Sequence, residues 1–143
     1  RSCHRLLTLL ETHSAVEMAL RQALIQSDLT EKGFHILAFL AQRDTAASAS
    51  DLAAELGLPR HTAIEILVRL ELSGLLNRQP GPDDHRFNTV DLSPRGRAVL
   101  NHALEHITDA VSQIMSAASE PELTQLEQIC ARLRHSSETQ TSF

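Results

Sequence analysis

The chain has 143 residues, 42% of them hydrophobic, with 18 acidic against 13 basic side chains and a formal net charge of -5. That length fits one domain, or a small domain with helical extensions, and the apolar content suffices for a packed core. Aromatics are 3% and Trp and Tyr are missing, so the interior is built from Leu, Ile, Val and Ala, which suits helix on helix and excludes a core of large rings.

No apolar run approaches the roughly eighteen residues that cross a bilayer, and Arg1 to Leu10 lacks a signal peptide's unbroken apolar segment and cleavage site, so the expected location is cytoplasmic, with no membrane partner. A first residue of Arg instead of Met suggests a trimmed chain. Cys3 and Cys130 lie far apart without Cys-x-x-Cys spacing, so the sequence encodes neither a zinc site nor a disulfide framework.

From Leu6 to Ile25, apolar residues at Leu6, Leu9, Leu10, Val16, Ala19, Leu20, Ala23 and Leu24 paint one stripe on a long helix. Thr30 is a candidate cap for a second helix whose expected buried face is Phe34, Leu37, Ala38, Leu40 and Ala41. Asp44 to Ala49 reads as a loop or short strand. Ser50 then caps a short helix over 51–56, with Leu52, Ala53 and Leu56 inward and Gly57 as its left-handed stop. Pro59 falls where a first-turn proline is tolerated, and the helix it opens runs to Ser73 with Ala63, Ile64, Leu67 and Leu70 inward and Gly74 ending it. Two helices so spaced form a helix-turn-helix.

Leu75 to Gln79 and Phe87 to Leu92 are strand candidates, joined through Pro80-Gly81-Pro82-Asp83-Asp84 as a hairpin. Ser93-Pro94 opens another long helix with Val99, Ala103, Ile107, Ala110, Val111 and Ile114 on one side. A last helix over 122–134 uses Leu123, Leu126, Ile129 and Leu133, and the polar tail His135 to Phe143 is expected to fray. The fold class is therefore mainly α with a small β-wing: a winged helix-turn-helix over 28–96, flanked by helices over 1–27 and 97–143 whose sticky stripes join subunits.

That order is a DNA reader's geometry, because a helix enters the major groove while the ribbon behind it sets a basic tip beside a neighbouring groove. Net charge alone argues the other way, since phosphate neutralisation supplies much of the affinity. The distribution answers in part: residues 58–97 hold six Arg and five acidic groups, net +1, and the rest of the chain is net -6. A dimer that gathers those Arg on one face of a bipolar surface is the arrangement DNA binding requires.

Arg60, His61 and Thr62 open the reading helix, where side chains reach base edges. Arg69 is expected on phosphate or a nearby Glu, and Arg78 and His85 join the DNA-binding set from the hairpin. Arg86 is the candidate for minor-groove insertion, with Asp84 orienting the tip. His102 and His106, at i, i+4, invite a shared metal, as do His13 or His35 brought near by folding. Metal sites need further ligands, so solvated or packed histidines are the expected state and no metal or other cofactor is assigned. No phosphate loop or nucleophile elbow appears, so the chain is not expected to be an enzyme.

Leu70-Glu71, Ser73-Gly74-Leu75-Leu76 and Arg78, then Asp83-Asp84-His85-Arg86, then Val90-Asp91-Leu92-Ser93-Pro94-Arg95-Gly96, together resemble the MarR family of winged helix-turn-helix regulators across nearly the whole chain. The resemblance implies a homodimer joined through its terminal helices on a pseudo-palindromic double-stranded DNA operator. It also implies a repressor released by a small aromatic or phenolic effector held between the winged module and the dimerisation helices. Ile64 and Glu65 depart from the family, many members having Thr and Arg there, and His85 stands where a second basic residue is common. Two alternatives stay open: a winged-helix adaptor that binds protein without DNA, and a thiol-redox sensor using Cys3 and Cys130.

Overall fold

The computed structural model describes residues 1–80 and 88–140. Helix α1 (Ser2–Leu24) leads through a single 3-10 turn (Ile25–Ser27) to Asp28, whose φ of 53° is left-handed. Then come α2 (Glu31–Ala41), β1 (Ala47–Ser48), α3 (Ala49–Leu56), α4 (Arg60–Leu72), β2 (Leu76–Pro80), β3 (Asn88–Leu92), α5 (Pro94–Met115) and α6 (Glu120–Gln140). The strands form an antiparallel sheet in the order β1-β3-β2, with Ala47 opposite Val90, and Leu76 opposite Leu92 through to Pro80 opposite Asn88. This is the mainly helical, small-winged architecture expected from the sequence.

Local chemistry fixes the joints. Thr30 Oγ1 accepts the Gly33 N–H at 3.1 Å to cap α2. The helix-turn-helix corner is a Schellman-type stop: Gly57, at φ 61°, lets the Leu58 N–H reach Ala53 O at 2.9 Å. Ser93 does two jobs at the head of α5, accepting the Gly96 N–H at 2.9 Å and donating to Gly74 O at 2.6 Å. That bond and Ser93 N–H to Leu75 O, 3.1 Å, tie the wing's last strand to the exit of α4. Gly96 is obligatory here, because a Cβ would collide with the Leu75 carbonyl oxygen.

The core lies between α2, α3, α4, the sheet and the start of α5, with Ile36, Leu37, Leu52 and Ala63 sealed from solvent. It corrects several expectations. Along α2 the inward arc is Gly33, Ile36, Leu37 and Leu40, while Phe34, Ala38 and Ala41 are half-buried on its flanks. Helix α2 turns this way because Gly33 lies against Leu70 of α4, so Ile36 follows it inward. Leu56 is likewise half-buried. Ile64 points outward, 38% exposed, since one step past buried Ala63 turns the helix by about 100°.

The cap of α3 is Ser48 instead of Ser50. Asp51 returns Ser48's bond, taking its N–H at 2.9 Å while Ser48 Oγ accepts the Asp51 N–H at 3.1 Å. Ser50 would face Ala53 at that position, which has nothing to return. Strand β2 begins at Leu76, because the Leu75 N–H still serves α4 through Leu70 O. Helix α6 runs on to Gln140, past His135 where the polar tail is expected to begin, since beyond Pro121 in its first turn neither Gly nor Pro interrupts it; the last three residues of that tail lie outside the described residues.

Candidate nucleic-acid interface

Helix α4 has one buried side and one free side. Ala63, Leu67 and Leu70 hold it against the core, so Arg60, His61, Ile64, Glu65 and Val68 face outward along a little over two turns. Thr62 is half-buried beside them. Among the described residues Arg60 has no carboxylate partner, so its guanidinium is available to an incoming acceptor.

Beside that free side stands the base of the wing. Arg60 and Ile64 of α4, Arg78 of β2, Asn88 of β3 and Ser48, Ala49 and Ser50 at the junction of β1 and α3 border one open hollow of about 450 Å³. Two predicted residues, Arg60 and Arg78, thus meet on one face. Arg78 differs from Arg60 in being held: its Nε donates to Glu71 Oε2 at 3.0 Å and its other nitrogen to the same oxygen at 2.8 Å. The hydrogen bond from Arg78 pulls the Glu71 carboxyl below its ordinary range, and the same bond raises Arg78. Next to this pair Gln79 donates to Asp91 at 2.8 Å across the hairpin. Asp84, His85 and Arg86, the predicted wing tip, lie outside the described residues.

Arg69 falls elsewhere, on the side of α4 that faces the rest of the chain. It borders a cavity of about 220 Å³ with Ser27, Asp28, Ile66, Arg95 and Val99. Arg69 and Arg95 have no carboxylate partner among the described residues, and Ser27 Oγ is shut from solvent without a hydrogen-bond partner there. Two guanidiniums against the one carboxylate of Asp28, with an apolar wall from Ile66, Leu70 and Val99, suit a small organic anion. Sequence reading missed Asp28, Arg95 and Ile64 in these two places. For Arg95 the signal was its closeness to Ser93-Pro94, which puts it in the first turn of the helix leaving the wing.

A model of the MarR family matches residues 27–86. The chain is 30% identical over 128 residues to the HTH-type transcriptional regulator PecS of Dickeya dadantii, an alignment covering 88% of this chain and 77% of PecS. Over 93 residues it is 31% identical to the transcriptional repressor MprA of Escherichia coli, covering 65% of this chain and about half, 53%, of MprA. The fold is similar to CouR of Rhodococcus jostii RHA1 bound to p-coumaroyl-CoA, with TM-score 0.81, 19% identity and 88% of each chain covered. It is equally similar to CouR bound to a 23-mer DNA duplex, with TM-score 0.81, 23% identity and 89% of each chain covered. At these identities the likeness to CouR is one of fold.

Proposed function

The chain belongs to the MarR family, and from that membership we propose that it is a homodimeric, sequence-specific DNA-binding transcriptional regulator, a repressor released by a small aromatic or phenolic acid. The observation that carries the reading is the free side of α4, set beside the wing base with Arg60 unpaired among the described residues. A helix presented this way inserts its first turns into the major groove, where Arg60 takes both acceptors of a guanine and His61 and Thr62 reach neighbouring edges or phosphates. Residues 28–96 act as the reading module, and Asp84, His85 and Arg86 carry the wing to the adjacent minor groove. The exposed leucines of α1 and α6 join two such modules, so their reading helices meet half-sites about one helical turn apart. Cytoplasmic residence follows from that role; among the described residues no helix is long and apolar enough to cross a membrane.

Release follows from position. The cavity bordered by Arg69 and Arg95 touches the back of the reading helix and the first turns of α5, the helix that leaves the wing. An acid seated there has unequal affinity for different angles between module and α5, and so shifts the spacing of the two reading helices. CouR, of the same fold, binds a phenolic thioester in one crystal and DNA in another. The test is fluorescence anisotropy on duplex taken from the region flanking the protein's own gene. Binding is expected to weaken steeply with salt, Arg60→Ala to cost about 1–3 kcal/mol on the specific site, and 4-hydroxycinnamate to release the wild type. Salt-insensitive or undetectable duplex binding overturns the DNA reading; release that persists unchanged in Arg95→Ala removes the cavity from it.

A further inference from the structure

On α5, away from both the reading face and the Arg69–Arg95 cavity, two imidazoles converge. His102 is exposed and His106 half-buried, and their Nε2 atoms stand 3.4 Å apart with ring centroids at 4.7 Å and the planes 77° from parallel. In the free protein a long N–H···N hydrogen bond between the two rings holds them together. The same convergence presents both nitrogens to a shared ligand. With metal–nitrogen bonds of about 2.05 Å and a tetrahedral angle, two imidazole nitrogens on one zinc ion lie about 3.35 Å apart, so the pair already has the bite of a chelate.

We propose that His102 and His106 form a bidentate site for a divalent transition metal of the zinc class. Spacing at i, i+4 keeps both rings on one helix face, so the second imidazole binds at the high effective concentration set by the helix and not as an independent ligand. Glu105, and Asp109 one turn beyond His106, add negative charge along the same stretch of helix and raise the local cation concentration. Among the described residues no third His, Cys, Asp or Glu completes a cluster, so water fills the other positions, which sets the affinity of a two-ligand site and leaves the ion exchangeable. Neutral imidazole is the ligating form, and it has a lone pair to give at each Nε2 once the proton sits on Nδ1. The bound ion staples one turn of α5, the helix that carries the reading module.

The experiment is equilibrium dialysis of the metal-stripped full chain against zinc chloride, with histidine ring nitrogens followed by long-range proton–nitrogen NMR. One zinc ion per protomer, movement of both Nε2 resonances, and at least a ten-fold loss of affinity in His102→Asn and in His106→Asn are expected. Circular dichroism checks that each variant is folded, and Cys3→Ser with Cys130→Ser serves as the background that excludes thiol binding. Zinc uptake that is unaltered in His102→Asn, or lost with the two cysteines, overturns the site; so does movement of the Nε2 resonances of other histidines only. Because the readout needs no DNA, its failure leaves the proposed regulator role standing, and failure of DNA binding leaves this site standing.

Discussion

Leucine is used in two opposite ways in this chain. In the winged module Leu37 and Leu52 are fully enclosed and Leu67 nearly so, whereas in α1 Leu6 and Leu10 are 56% and 52% exposed and in α6 Leu133 is 51% exposed. Helix α1 buries just Leu24 at its very end. Periodicity alone cannot separate the two uses, since both give a stripe every three to four residues. What separates them is whether a second element of the same chain is there to cover the stripe. The module closes on itself through α2, α3, α4 and the sheet. The outer helices leave a row of large apolar side chains of the kind that assembles subunits.

This contrast can be broken most forcefully from within. Leu37→Ala should lower unfolding free energy by about 2–5 kcal/mol, read by urea denaturation, because it empties an enclosed site that neighbouring helices cannot fill. Leu10→Ala in the same assay, at a protein concentration where the chain is monomeric, should cost far less. Equal losses would mean that the two stripes are not different in kind. The next test sharpens the other half: Leu10→Glu combined with Leu133→Glu should weaken self-association by about 2 kcal/mol or more, roughly thirty-fold, in sedimentation equilibrium. The module's helical signal should be retained. Unchanged association would place the dimer contact elsewhere.

Much of the fold was legible because its signals are local. Thr30, Gly57, Gly74 and Ser93-Pro94 each announce a helix end through their own side chain or conformational freedom, and all four act as such in the structure. What escaped depends on tertiary placement. Ile64 belongs to an apolar run, yet α4 seats Ala63, Leu67 and Leu70 against the core, so Ile64 is turned out. Ser48 was readable as a cap from Asp51 three residues on, and a short strand within Asp44 to Ala49 was among the expectations, but its pairing opposite Thr89 was not legible, because a partner about forty residues on leaves no local mark. The site splits the same way. Arg60 follows from its position after Pro59, whereas the cavity joining Asp28, Arg69 and Arg95 gathers three distant stretches and leaves no pattern in sequence.

Arg78 gives the mildest and most discriminating test, because its partner Glu71 lies seven residues earlier across the turn that ends α4. Both side chains are about a third exposed, so the pair is worth under about 1 kcal/mol to the fold after solvent screening. Glu71's folded carboxyl titrates below its ordinary value of 4.5, held down by the Arg78 hydrogen bond. Its contribution to stability is therefore complete above that value and is lost as pH falls below it through the folded value. A pH series of denaturation curves should show a small decline there in the wild type that Glu71→Gln lacks. On DNA the same substitution works in the opposite direction. It frees Arg78 from an anionic competitor on the face it shares with Arg60, so operator affinity should rise a few-fold and the salt slope steepen by about one phosphate contact. A slope that stays the same would make Arg78 a strut between α4 and the wing, leaving Arg60 and its neighbours on the reading helix to hold the groove.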